Sequence, residues 1–315
     1  MVQDVNAIPV GRLAPSPTGA LHLGNARTFL LAWLAIRSRG GVLLLRIEDL
    51  DGPRIKKGSV EATLEDLAWL GLDWDGEPVL QSGRIEAHTL ALEHLKARGL
   101  VYPCVCTRSE IERAQSAPQE GLDHGTAYPG TCRGRFRDAA EALAATGREP
   151  AWRFRVEEGQ EVSFEDQVHG SVRIDLSKDC GDFVVAKKDG LPAYQLAVVV
   201  DDLAFGVNEV LRADDLLSST ARQLLLIRAL GGQPPSYTHV PLVLGPDGRR
   251  LAKRHGDSRL AHYRNMGVPP GRVLGLLAES LGLGDGSEVA SPQELLADFD
   301  LSRIPLSPWV FSGEL

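Results

Sequence analysis

Residues 11–30 read GRLAPSPTGALHLGNARTFL, and residues 42–49 read VLLLRIED. Between them, Ala26–Arg39 places Phe29, Leu30, Trp33, Leu34 and Ile36 at helical spacing, and Gly40-Gly41 ends the pattern. The second stretch is a continuous apolar run that follows the two glycines, the pattern of a strand buried on both faces in a parallel sheet. Residues 8–48 therefore read as a βαβ unit, and the fold class as α/β. Within the first stretch, Pro15 and Pro17 fix φ and remove backbone donors, while Gly19 can take positive φ. APSPTG is thus a stiff corner beyond a strand end. His22 then precedes Gly24 and Asn25 where the helix begins and its free N–H groups favour a phosphate. Gly24 lets a flat or bulky ligand approach the backbone. Residues 19–25 half-match a phosphate loop, but Asn25-Ala26 stands where that motif requires Lys-Ser/Thr.

Working outward, Ser59–Leu70 is a second helix with Ser59 as its N-cap and Gly71 as its stop, and Ile85–Arg98 is a third. From Tyr102 to Ala186 the texture changes: cysteines, a Gly/Pro/Ser-rich stretch, a short helix at Asp138–Thr146, and strand-like AWRFRV, EVSFED and SVRID. This reads as an inserted α+β domain. AYQLAVVVDD (193–202) restores a buried-strand pattern, LLSSTARQLLLIRAL (216–230) is a helix, and HVPLVLGPDGRRLAKRHGD (239–257) is a strand, a Pro-Asp-Gly turn and a basic loop. Residues 269–315 read as mostly helical. The expected division is 1–101 and 187–257 for two halves of one catalytic domain, 102–186 for the insertion, and 258–315 for a short helical C-terminal region.

With 42 acidic against 34 basic residues the chain carries a net charge of −8, so no global positive field points to nucleic acid. Any polyanion must meet local patches such as Arg133/Arg135/Arg137, Arg153/Arg155 and Arg249/Arg250/Lys253/Arg254. No apolar run approaches the roughly 20 residues of a membrane span, and MVQDVNAIPV has no signal-peptide pattern, so the expectation is a cytoplasmic protein. Four cysteines in 315 residues are too few for a disulfide scaffold. Cys104-Val105-Cys106 suits a metal better, with Cys132 as a third ligand; on chemistry alone His124 is the favoured fourth, imidazole being a commoner zinc ligand than phenolate.

RLAPSPTGALHLGNARTFL resembles the ATP-binding "HIGH" element of class I aminoacyl-tRNA synthetases, in the variant of the glutamyl/glutaminyl group. LLLRIEDLD (43–51) is similar to that group's next strand, LAVVVDDLAFGVNEVLRADDLL (196–217) to its second-half strand and turn, and RRLAKRHGD (249–257) to its "KMSKS" loop, with Ala252 replacing a serine. The resemblance implies a Rossmann-type parallel sheet interrupted by a zinc-containing insertion. It implies a ligase that joins the glutamate α-carboxylate to the ATP α-phosphate and then passes the acyl group to RNA, with Mg²⁺ accompanying ATP. His22, Gly24, Asn25 and Lys253 are the expected catalytic residues, and Arg254 joins His22, Gly24 and Lys253 around ATP. For glutamate, Arg12 supplies a carboxylate-pairing fork and Glu48 an ammonium partner, both at strand ends. Ala14, Pro15, Ser16, Tyr194 and Arg212 are added by the resemblance, which also favours Tyr128 over His124 as the fourth ligand of one structural zinc.

Only about 58 residues follow Asp257, too few for the helical anticodon-reading domain of a glutamyl-tRNA synthetase. On that ground the chain looks like a shortened branch of the group that activates glutamate without tRNA and esterifies it to queuosine at the wobble position of tRNA(Asp), working as a monomer. A minimal synthetase charging the 3′ end of tRNA(Glu) and a non-catalytic tRNA-binding paralogue are the alternatives.

Overall fold

A computed structural model describes residues 8–17, 19–50, 55–115, 127–251 and 257–313. β1 (Val10–Leu13), α1 (Leu23–Arg37) and β2 (Val42–Ile47) form the expected βαβ unit, the strands paired in parallel from Val10 opposite Val42 to Leu13 opposite Leu45. α1 is buried on nearly every side, from Leu23 and Leu30 to Trp33 and Ile36, so its apolar residues follow no single stripe. Gly11 makes this seating possible, because a Cβ there would lie 2.5 Å from Ile36 Cγ1.

α2 (Ser59–Trp69) starts as expected, but Gly58, at φ 82°, and not Ser59 occupies the N-cap position. β3 (Val79–Leu80) adds in parallel to β2, and α3 (Ile85–Ala97) follows. The 102–186 segment holds β4 (Val101–Cys104), α4 (Arg108–Gln115), α5 (Ala139–Thr146), β5 (Ala151–Phe154), β6 (Glu161–Asp166), β7 (Gly170–Asp175), α6 (Leu176–Asp179) and β8 (Phe183–Ala186). It divides between two sheets. β4, β5 and β8 form an antiparallel sheet of their own. β6 and β7 instead extend the sheet of the following segment.

AYQLAVVVDD, expected as a strand, is the helix α7 (Tyr194–Ala204). Gln195 through Asp202 are all buried, so the helix lacks a polar face and its run of valines imitates a strand. β9 (Glu209–Ala213), α8 (Leu217–Ala229) and β10 (Ser236–Val240) follow, giving the strand order β7-β6-β10-β9 with β6, β10 and β9 parallel. β9 meets β1 through Asn208, whose N–H donates to Val10 O (3.0 Å) and whose Oδ1 accepts from Val10 N–H (2.8 Å). Strand order thus reverses between β1 and β9, and the carboxyl ends of those strands form the crevice where open α/β sheets bind ligands.

After β11 (Val243–Leu244) come α9 (Leu260–Asn265), α10 (Pro270–Ser280) and β12 (Trp309–Val310), which pairs with β11. Residues 281–313 hold two short 3₁₀ turns and that strand, so the stretch expected to be mostly helical is helical only in α10; GLGDGSEVASP supplies too many helix breakers. Arg27, fully buried in α1, ties this region down. Its guanidinium donates to Pro241 O (3.1 Å), Ser280 O (3.2 Å) and Ser280 Oγ (3.1 Å).

Candidate active site

A cavity of about 460 Å³ opens at the β1/β9 crevice. Arg12, Ala14, Pro15, Ser16, His22, Gly24, Asn25, Glu48, Tyr194 and Arg212 all line it, so every described residue assigned to ATP or glutamate from the sequence faces one space. Lys253 and Arg254, with Ala252, lie outside the described residues, as does His124. The chain on either side of 252–256 is nevertheless fixed beside His22. Leu251 N–H donates to Val243 O (3.0 Å), Leu23 N–H to Ser258 O (2.9 Å), and Leu260 N–H to Leu21 O (2.9 Å).

At the start of α1, His22 is the N-cap: Nδ1 accepts from Gly24 N–H (3.1 Å), and Asn25 Oδ1 accepts from His22 N–H (3.3 Å). Burial, aided by nearby Arg250, pulls the imidazole down to about 4, so it is neutral at pH 7. A neutral ring with Nδ1 accepting carries its proton on Nε2, and that N–H is what the ring offers to a ligand. Gly24 has a second reason to be glycine, since a Cβ would lie 3.0–3.1 Å from the His22 ring.

The other end of the cavity is built from buried charge. Arg12 on β1 donates to Leu211 O (3.2 Å) and lies 3.7 Å from Asp202, while its Nε has no hydrogen-bond partner. Burial lowers its guanidinium below the ordinary value against the attraction of Asp202. Arg46 on β2 bridges Asp202 on α7 and Glu48 Oε1 (3.1 Å). Burial raises the Glu48 carboxyl above its ordinary value although Arg46 and Arg12 oppose it, and an arriving ammonium would favour its charged form. Glu48 N–H donates to Pro15 O (2.9 Å), which links the stiff corner to the end of β2. Arg212 on β9 is buried, with Nη1 unpartnered. Two buried guanidiniums with spare donors and one carboxylate in a single crevice can hold a zwitterion that carries a further carboxylate.

Sequence reading missed Arg46 and Asp202, because a charge inside an apolar strand or helix carries no local mark of its partner. It also missed Asp215, which lines the cavity and pairs at 2.6 Å with Arg250, a member of the basic patch singled out in the sequence. Asp215 is shared with a second cavity of about 760 Å³, walled by Tyr128, Arg153, Phe183 and Arg222.

Tyr128 and the cysteines form a separate cluster. Cys104, Cys106 and Cys132 sulfurs lie within 4.8 Å of one another, and the Tyr128 hydroxyl sits 3.3 Å from Cys104 Sγ and 3.4 Å from Cys106 Sγ. With zinc–sulfur bonds of about 2.3 Å, tetrahedral ligands sit about 3.7 Å apart, so three sulfurs and a phenolic oxygen have the composition and span of one metal site. Gly181 permits the approach, since a Cβ there would come within 2.8 Å of Tyr128 O. Among the described residues no helix is long and apolar enough to cross a membrane.

Comparison with known proteins fits this geometry. Over residues 10–314 the chain matches the family described as tRNA synthetases class I (E and Q), catalytic domain. It is 49% identical over 306 residues to the Glutamyl-Q tRNA(Asp) synthetase of Symbiobacterium thermophilum, covering 95% of this chain and 94% of that one. It is 43% identical to the Glutamate–tRNA ligase of Azorhizobium caulinodans, covering 94% of this chain but 61% of the relative. It also resembles the crystal structure of a glutamate tRNA ligase from Elizabethkingia meningosepticum in complex with its amino acid, with a TM-score of 0.81, 27% identity, and coverage of 98% of this chain and 68% of that one. The chain belongs to the glutamyl/glutaminyl family of class I tRNA synthetases.

Proposed function

We propose that the protein activates L-glutamate with ATP without needing tRNA, then transfers the glutamyl group to the queuosine base at the wobble position of tRNA(Asp), acting as a monomer. One observation carries the chemistry: a single cavity holds two buried arginines and a glutamate at one end and a capped helix start at the other. The acceptor is supported by the near end-to-end match to a Glutamyl-Q tRNA(Asp) synthetase, against 61% coverage of a Glutamate–tRNA ligase.

In this reading Arg12 and Arg212 hold the glutamate carboxylates, Glu48 holds the ammonium, and Tyr194, with Ala14, Pro15 and Ser16, closes the amino-acid end. The α-carboxylate attacks the ATP α-phosphorus, the bond to the β-phosphate oxygen breaks, and pyrophosphate leaves. No enzyme nucleophile takes part, so the protein acts through positioning and charge. His22 Nε2–H and the N–H groups after Gly24, set by Asn25, face the phosphates, while Lys253 and Arg254 meet them from the basic loop. Mg²⁺, when bound with ATP, would supply counter-charge for the phosphates. The queuosine base reaches the adenylate through the second cavity, whose shared Asp215 adjoins the first. Cys104, Cys106, Tyr128 and Cys132 hold one structural zinc that fixes the wall of that second cavity. Metal analysis of the purified protein should find about one zinc per chain; well under one equivalent would contradict the site.

Labelled glutamate, ATP and two tRNA pools, from cells that make queuosine and cells that cannot, test the function. Label on tRNA(Asp) in the first pool only is the expected result. Label on tRNA(Glu) in both pools contradicts it and identifies a minimal aminoacylating enzyme.

A further inference from the structure

Arg212 is held by groups that are not among the residues lining the cavity. Its Nη2 donates to Thr220 Oγ1 on α8 (2.8 Å), and its Nε donates to Nε2 of His239 (3.0 Å), its register partner on β10. His239 is fully buried, and its Nδ1 lies 2.7 Å from Asp166 Oδ2 at the end of β6. Asp166 in turn accepts from the backbone N–H groups of His239 (3.1 Å), Val168 (3.0 Å) and His169 (3.0 Å).

These contacts permit one arrangement of protons. A guanidinium has donors only, so His239 Nε2 must present its lone pair to Arg212, and the ring proton must sit on Nδ1 and point at Asp166. Burial lowers the imidazole below its ordinary value and so keeps the ring neutral. Burial opposes the Asp166 charge, yet the bonds from His239, His169 and Val168 hold its carboxyl below the ordinary value. With Nε and Nη2 both engaged, rotation of the guanidinium is blocked; its remaining nitrogen, Nη1, is buried without a hydrogen-bond partner at the wall of the cavity that Arg212 lines.

We propose that His239, oriented by Asp166, is a positioning residue for glutamate: it fixes the guanidinium plane of Arg212 so that Nη1 meets a substrate carboxylate. The inference rests on the glutamate site proposed above. It also gives the 102–186 segment a part in amino-acid binding, since Asp166 is the last residue of β6 and reaches the crevice through β10.

Asp166→Asn is the sharp test because it keeps the shape of the side chain. An amide nitrogen opposite Nδ1 donates to it and moves the ring proton to Nε2, against the Arg212 Nε–H. Losing one hydrogen bond to a charged group predicts a rise in glutamate KM of about 10- to 100-fold in ATP–pyrophosphate exchange, with kcat and the KM for ATP within about threefold. His239→Gln, which keeps an acceptor for Arg212, loses less than His239→Leu. The proposal is overturned by a glutamate KM within about twofold of wild type, by equal losses in kcat and both KM values, or by Gln and Leu behaving alike. Arg212→Ala separates the two claims. If it raises the glutamate KM and Asp166→Asn does not, positioning fails and the glutamate site stands. If Arg212→Ala itself leaves that KM unchanged, the glutamate site fails and the positioning role with it.

Discussion

The two ends of the cavity are made of different material. At the glutamate end, ionisable side chains from β1, β2, α7 and β9 are packed together: Arg12, Arg46, Asp202 and Arg212 are buried, and Glu48, just past β2, is partly buried against Arg46. At the nucleotide end, the parts are a helix start, a glycine and a ring that is neutral at pH 7. The difference follows the charge on the substrates. Glutamate's ammonium and side-chain carboxylate carry the same charge before and during reaction, and fixed counter-charges bind both states alike; only the attacking α-carboxylate gives up its charge. The phosphates gain charge as the bond to pyrophosphate breaks, and donors aimed there act most on the transition state. Substitutions at the first end should therefore appear in KM for glutamate, and those at the second in kcat.

The largest expected effect is at the basic loop. Lys253→Ala should lower kcat of glutamate-dependent ATP–pyrophosphate exchange by about 10²- to 10³-fold while glutamate KM stays put. Unchanged exchange would remove Lys253 from the reaction. Next, Glu48→Gln should raise glutamate KM by about 10²-fold, the loss of a buried partner for the substrate ammonium, with kcat nearly intact. The same carboxyl sets a pH dependence. Because burial raises Glu48, its protonation as pH falls should weaken glutamate binding at a higher pH than an ordinary carboxylate would, and Glu48→Gln should abolish that dependence.

His22→Asn sharpens the contrast at the nucleotide end. Asparagine is as good an N-cap, so melting should show a change within about 0.5 kcal/mol, but the Nε2–H is gone and kcat should fall about 10- to 100-fold. Loss of stability with unchanged kcat would reduce His22 to a cap. The smallest effect is at Asp66, buried in α2 away from both ends, where burial raises the carboxyl to about 6 against the pull of Arg264. The folded state holds this proton more tightly than the unfolded chain, so stability declines as pH rises from about 4 to about 6. Asp66→Asn should flatten that slope in pH-dependent melts and leave both kinetic constants alone.

The same contrast explains what could be read from sequence. β1, α1 and β2 were legible because buried strands and glycine stops mark themselves locally, and His22, Gly24 and Asn25 sit within four residues. The cysteine cluster was legible through its spacing. Arg12, Glu48, Tyr194 and Arg212 are up to 200 residues apart in the chain; strand ends and carboxylate chemistry joined Arg12 to Glu48, the family resemblance added Tyr194 and Arg212, and the structure brings all four into one cavity. What escaped was the buried charge behind them. Arg46 in VLLLRIED, Asp202 in a misread helix, Arg27 under α10 and His239 beside Arg212 are each defined by a partner far along the chain. α7 was misread because burial on all sides removes the polar face that distinguishes a helix.

The division between ends is tested most directly by equilibrium dialysis of labelled glutamate against the protein alone, without ATP or tRNA. Wild type and Lys253→Ala should bind one glutamate per chain with equal affinity, while Glu48→Gln binds far more weakly. Glutamate binding that appears only after ATP is added would contradict a glutamate end assembled in advance.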